Sequence, residues 1–136
     1  KTPKAERPQR FGLAFWMVNE RGEVALRRRP PKGLLGGMLE VPGGAWTAEA
    51  PDRRAALRHP PAKAAWRWSD GIVRHVFTHF ALELQVAAAQ VKGRPLKDAE
   101  WVPLEKLGEA ALPSVMRKVA KLGMATLAAK GKEAAE

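Results

Sequence analysis

Phe11 to Val18 is a continuous apolar run rich in Phe, Trp and Val, and a second apolar piece, Val24-Ala25-Leu26, comes after it across Asn19-Glu20-Arg21-Gly22. Runs this short, bounded by turn residues, read as strands, and the glycine lets the chain reverse between them. A chain that opens on such a hairpin has to build a sheet. The next stretch is punctuated by proline and glycine. The second strand runs into Arg27-Arg28-Arg29, and Pro30 and Pro31 stop it before the stretch Lys32-Gly33-Leu34-Leu35-Gly36-Gly37, which reads as a basic, mobile loop. Met38-Leu39-Glu40-Val41 is a short strand end closed by Pro42-Gly43-Gly44. Pro51 to Arg58 carries a helix signature, with proline at its start and Asp52 in its first turn, and Pro60-Pro61 ends it.

Ile72 to Val76 and Phe80 to Val91 are strand-like, the second alternating Leu82, Leu84 and Val86 with Glu83 and Gln85. Trp101-Val102-Pro103-Leu104 is a last short strand. From Leu112 onward, Val115, Met116, Val119, Leu122 and Leu127 recur at helical spacing, so the chain should end in an amphipathic helix interrupted near Gly123. Strands interleaved with two or three helices give an α/β (α+β) domain with a mixed sheet. No internal repeat is visible.

At 136 residues the chain accommodates one domain, large enough to form a core without staples. It has no cysteine, which excludes disulfides, thiolate-held zinc, iron–sulfur ligation and a cysteine nucleophile within it. Much of its hydrophobic content is alanine, so Trp, Phe, Leu and Val are expected to carry the packing. Lys and Arg number 24 against 14 Asp and Glu, a formal charge of +10 that points to a polyanionic partner, with nucleic acid ahead of an anionic membrane surface. No apolar run approaches the roughly 18 residues a membrane span needs, and no signal peptide opens the chain, so a soluble, intracellular protein without a membrane partner is expected. Lys1 to Arg10 reads as a basic linker, 11–129 as the folded domain and 130–136 as a disordered tail; the first residue, Lys1 rather than Met, suggests a piece of a longer protein.

Only three histidines exist. His75 and His79 would be separated by roughly 13 Å along one strand at about 3.3 Å per residue, so a two-histidine metal chelate is not expected, and no metal site is assigned. The five tryptophans divide: Trp16 and Trp101 lie in apolar strands and should be core, while Trp46, Trp66 and Trp68 stay open between packing and base stacking.

The segment Gly36-Gly37-Met38-Leu39-Glu40-Val41-Pro42-Gly43-Gly44, after its basic hairpin, resembles the approach to the catalytic box of Nudix hydrolases, and more closely the Nudix-like C-terminal domain of the MutY family of adenine DNA glycosylases. A Nudix hydrolase places a glutamate six residues after its glycine and then an Arg-Glu-x-x-Glu-Glu cluster, whose carboxylates hold Mg²⁺. Glu49 falls at the first position, but Leu57-Arg58-His59-Pro60-Pro61-Ala62 stands where the cluster belongs, beside Arg53 and Arg54. Hard oxygen ligands are lacking there. Val76-Phe77-Thr78-His79-Phe80 resembles the MutY family's Phe-Ser-His-Phe segment, Glu100-Trp101-Val102-Pro103-Leu104 its late strand, and Leu112-Pro113-Ser114-Val115-Met116-Arg117-Lys118 the start of its final helix, in order from about Lys4 to Leu122.

The resemblance implies a Nudix-like (MutT-like) fold and a lesion-recognition domain for 8-oxoguanine in base excision repair, with Phe77, Thr78 and His79 as the reading loop and with no catalytic residue or cofactor of its own. It further implies an N-terminal catalytic domain of the same chain, carrying an iron–sulfur cluster, a duplex DNA partner containing 8-oxoguanine:adenine mispairs, and a bacterial cytosolic, nucleoid-associated location. Phe77 and Phe80 have core packing as their other reading. Arg27, Arg28, Arg29 and Lys32 are candidates for contact with the DNA backbone, the alternative being a solvated charged face. A hydrolase of oxidised nucleoside triphosphates shares the fold and is the second functional reading; a basic protein-interaction or general DNA-binding module is the third.

Overall fold

A computed structural model describes residues 7–129. The apolar opening run forms β1 (Gln9–Asn19), which begins two residues inside the segment read as linker. Asn19-Glu20-Arg21-Gly22 turns the chain into β2 (Glu23–Arg28), with Gly22 at φ 73° and its N–H donating to Asn19 O at 3.1 Å. β3 (Leu39–Glu40), β4 (Arg67–Val76), β5 (Ala81–Val91) and β6 (Glu100–Pro103) complete one sheet of order β3-β2-β1-β5-β4, with β6 also paired to β2. The sheet is mixed: β1 and β5 run parallel from Gln9↔Ala81 to Asn19↔Val91, and the other pairs are antiparallel. A central parallel pair is covered on both faces, which is why β1 is continuously apolar from Leu13 to Val18 instead of alternating.

Successive side chains of a strand point to opposite faces. On one face Ala14 and Trp16 join Leu82, Leu84 and Val86 beneath helix α2 (Ser114–Ala128) through Val115, Met116, Val119 and Ala120. On the other, Phe15, Met17, Ala87, Ala89 and Val91 pack with Ala62 and Trp66. Alanine contributes more here than its size suggests. Ala87, Ala88 and Ala89 are wholly buried, and the small β5 surface lets Trp66 approach Phe15 edge-on at 5.3 Å.

Three local expectations change. The helix expected over Pro51–Arg58 shrinks to α1 (Arg53–Ala56), capped by Asp52, whose carboxylate accepts from Arg54 N at 3.1 Å; it buries no residue, so no packing extends it. β4 begins earlier than Ile72, because a bulge between Trp68 and Ile72, with Ser69 Oγ donating to Gly71 O at 2.6 Å, breaks the alternation that marks a strand in sequence. α2 runs through Gly123 without interruption. A Cβ there would lie 2.3 Å from Cγ of the buried Trp16, so the glycine is the notch that seats the helix on the indole.

Candidate functional site

β4 ends at Val76 and β5 starts at Ala81, leaving Phe77-Thr78-His79-Phe80 as a tight connection closed by Phe77 N–H donating to Phe80 O at 2.8 Å. Phe77 and Phe80 turn inward, 4.8 Å apart, and Trp46 stacks on Phe77 at 6.1 Å and 24° and meets Phe80 at 6.2 Å. Both phenylalanines pack against the core, so Phe77 belongs to the platform beneath the turn. Thr78 and His79 are exposed at its tip, and among the described residues neither side chain has a hydrogen-bond partner. The segment before β1 braces this turn: Arg7 Nε donates to Thr78 O at 3.1 Å and Ala81 N to Pro8 O at 2.9 Å. Nothing apolar or periodic in that segment announces the contact.

His75 sits at the foot of the turn with its ring edge-on to Phe77 at 4.8 Å. Its Nδ1 lies 3.1 Å from Lys118 Nζ, which also donates to Arg74 O at 2.9 Å. Burial and then the neighbouring Lys118 charge push the His75 pKa below its usual value, which favours a neutral ring accepting from the ammonium. His75 thus supports the platform while His79 faces solvent. Among the described residues no group of three or more His, Cys, Asp or Glu stands close enough to hold a metal ion.

The arginine run is divided by strand alternation and largely engaged inside the domain. Arg27 Nη2 donates to Gly43 O at 2.7 Å. Arg28 pairs with Glu100 at 3.1 Å and donates to Gly37 O at 2.8 Å. Arg29 forms a 2.7 Å ion pair with Glu40, donates to Leu34 O at 3.0 Å, and holds its guanidinium 5.0 Å over the Trp46 ring. Lys32 is exposed. The glycine-rich stretch is braced rather than slack: Gly36 N bonds Gly33 O, Gly37 N bonds Pro30 O, Arg29 N bonds Met38 O, and the Arg28 and Arg29 side chains tie down two more carbonyls. Arg29 therefore links this loop, through Trp46, to the aromatic platform under Thr78 and His79. The sequence leaves Trp46 open because a lone tryptophan after two glycines has no periodicity to place it.

Pro42-Gly43-Gly44 runs against β1, with Phe15 N bonded to Pro42 O at 2.8 Å; a Cβ on Gly43 would meet Leu13 O at 2.0 Å. Close backbone approach is reason enough for that glycine. Downstream, Glu49 is exposed, Leu57 and Ala62 pack on the sheet, and Arg53, Arg54, Arg58 and His59 face outward. Mg²⁺ takes several oxygen ligands in octahedral geometry, and this donor set does not fit it. Trp66 donates its indole N–H to Ala62 O at 3.0 Å as a core residue, and Trp68 lies 4.8 Å beneath the Arg53 guanidinium.

Comparison with known proteins agrees with this fold. The chain is 32% identical over 108 residues to the human (Homo sapiens) adenine DNA glycosylase, covering 71% of this chain and 20% of that protein, so it spans about a fifth of the length of the curated relative it matches. Its fold is similar to a chain in the crystal structure of the complex between the C-terminal domain of mouse MUTYH and human PCNA, with TM-score 0.68, 23% identity and coverage of 91% and 93% of the two chains. It is also similar to the MutT protein of Methanosarcina mazei Go1, with TM-score 0.60, 23% identity and coverage of 85% and 93%. The NUDIX domain profile matches residues 13–122, from the apolar half of β1 into α2 and across the whole sheet, and by that match the chain belongs to the NUDIX domain family.

Proposed function

We propose that this chain is the lesion-recognition domain of an adenine DNA glycosylase, reading 8-oxoguanine opposite adenine in duplex DNA. The observation that carries the reading is the Thr78 and His79 pair, whose side chains are exposed and without a hydrogen-bond partner among the described residues, on the Trp46, Phe77 and Phe80 platform. Likeness to the human glycosylase supports it. Oxidation turns guanine N7 from an acceptor into a donor and adds an oxygen at C8. The Thr78 hydroxyl can accept from the new N–H, and His79 is a second polar group beside it. A hydroxyl can also donate to ordinary N7, so discrimination depends on the turn holding Thr78 in one place. Stacked rings, the Phe77 to Phe80 bond and Arg7 supply that rigidity. Base removal belongs to a catalytic domain of the same protein, with its iron–sulfur cluster, acting on the chromosome in the bacterial cytosol.

The test is equilibrium binding of the chain to duplexes containing 8-oxoguanine:adenine or guanine:adenine. Thr78→Ala should reduce the preference for the oxidised duplex about two- to tenfold, the worth of one net hydrogen bond of roughly 0.5–1.5 kcal/mol. Equal losses on both duplexes would show that the turn holds DNA without reading the lesion. A parallel assay with 8-oxo-dGTP and Mg²⁺ addresses the alternative of a nucleotide hydrolase. Release of the monophosphate above a protein-free control would favour that alternative.

A further inference from the structure

Arg27, Arg28 and Arg29, the cations that the sequence offers first to a polyanion, spend guanidinium donors on Gly43, Gly37, Glu100, Leu34 and Glu40. A chain with a formal charge of +10 presents cations elsewhere. The segment 53–63 carries Arg53, Arg54, Arg58, His59 and Lys63, and the nearest acid in sequence, Asp52, is engaged in capping α1. Arg54, Arg58 and Lys63 are exposed, and no carboxylate among the described residues pairs with them. Arg53 is preset: its Nε donates to Gln85 Oε1 at 2.6 Å and its guanidinium lies 4.8 Å from the Trp68 ring centroid. Since α1 buries nothing, core packing does not account for these cations.

Gln85, the anchor of Arg53, is in β5, which starts at Ala81 beside the turn. At about 3.3 Å per residue, Gln85 lies about 13 Å along β5 from Ala81. Guanidinium groups match phosphate oxygens in bidentate geometry, and each exposed cation that neutralises a phosphate releases a counterion condensed on the duplex.

We propose that the segment 53–63 is the surface that takes the phosphate backbone of a DNA duplex, with Arg54, Arg58 and Lys63 as the contacting side chains. It rests on the function proposed for the turn only in taking duplex DNA as the partner; it does not require that the turn discriminate the lesion. The contact is independent of base sequence.

The experiment titrates this chain against labelled duplexes, with and without 8-oxoguanine, at several salt concentrations. The triple variant Arg54→Gln/Arg58→Gln/Lys63→Gln should reduce the magnitude of the slope of log K against log salt by about 2–3, at about 0.9 for each phosphate no longer neutralised. The reduction should be equal on both duplexes, with lesion preference unchanged. The control Lys92→Gln/Lys97→Gln/Lys106→Gln removes the same charge from other exposed positions and should leave the slope in place. An unchanged slope in the first triple would overturn the proposal and turn attention to an acidic protein surface as the occupant. Equal reductions in both triples would also overturn it, since net charge alone would then govern binding. The reversal pair Arg54→Glu/Arg58→Glu provides a second reading and should weaken binding beyond the neutral triple. If the wild-type chain shows no lesion preference while the slope still responds to the first triple, the recognition reading fails and this one stands.

Discussion

Gly123→Ala sets two effects against each other at one position. In a helix interior alanine is favoured over glycine by about 1 kcal/mol, so on propensity alone the substitution should stabilise α2. The added Cβ, however, would sit 2.3, 2.7 and 2.8 Å from three atoms of Trp16, which is wholly buried and cannot swing aside into solvent. Overpacking of a filled core costs about 1–3 kcal/mol, and three simultaneous contacts against a rigid indole place the cost near about 3. The net expectation is a loss of about 2 kcal/mol. For a domain of this size that corresponds to a fall in Tm of about 8 °C. Thermal unfolding followed by near-ultraviolet circular dichroism reports it, because Trp16 is itself a chromophore. Gly44→Ala, whose Cβ would meet nothing within 4 Å, is the matched control and should stay within about 0.5 kcal/mol. A Tm for Gly123→Ala equal to or above wild type would refute the reasoning, since α2 would then be free to lift off Trp16 at no cost.

Arg29→Gln should cost about 2 kcal/mol and increase amide exchange over 30–38 and 77–80, because it removes a half-buried ion pair, a bond to Leu34 O and the cation over Trp46. Arg28→Gln breaks a half-exposed pair and should cost under about 1 kcal/mol, and equal losses would deny Arg29 its bridging role. Glu23 is held at a pKa of about 2 by Arg94 and then by Asn19, against the opposing effect of burial. A depressed carboxylate contributes stability that is fully present above its ordinary value of 4.5 and is lost as pH falls toward about 2. Tm should therefore fall more steeply in wild type than in Glu23→Gln across that window, and parallel curves would show that the pair with Arg94 adds nothing.

Some of the fold and the site is local enough to be written in the chain. The β1–β2 hairpin comes from an apolar run and a glycine turn, and β5 from the alternation of Leu82, Leu84 and Val86. Those depend on a residue's own backbone preferences or on its neighbours along the chain. The parallel pairing of β1 with β5, the bulge that hides the start of β4, the seat of Gly123 on Trp16, and the engagement of Arg28 by Glu100 depend on groups that are distant in sequence. An arginine after a strand looks the same whether a carboxylate or solvent awaits it. Thr78 and His79 are legible as candidates in the sequence, but that they are the exposed pair while Phe77 packs beneath them is decided by Trp46, Phe80 and Arg7 converging on one turn. Periodicity encodes which way a side chain points relative to its own element, whereas its partner is chosen only when the packed sheet brings remote segments within hydrogen-bonding and van der Waals range.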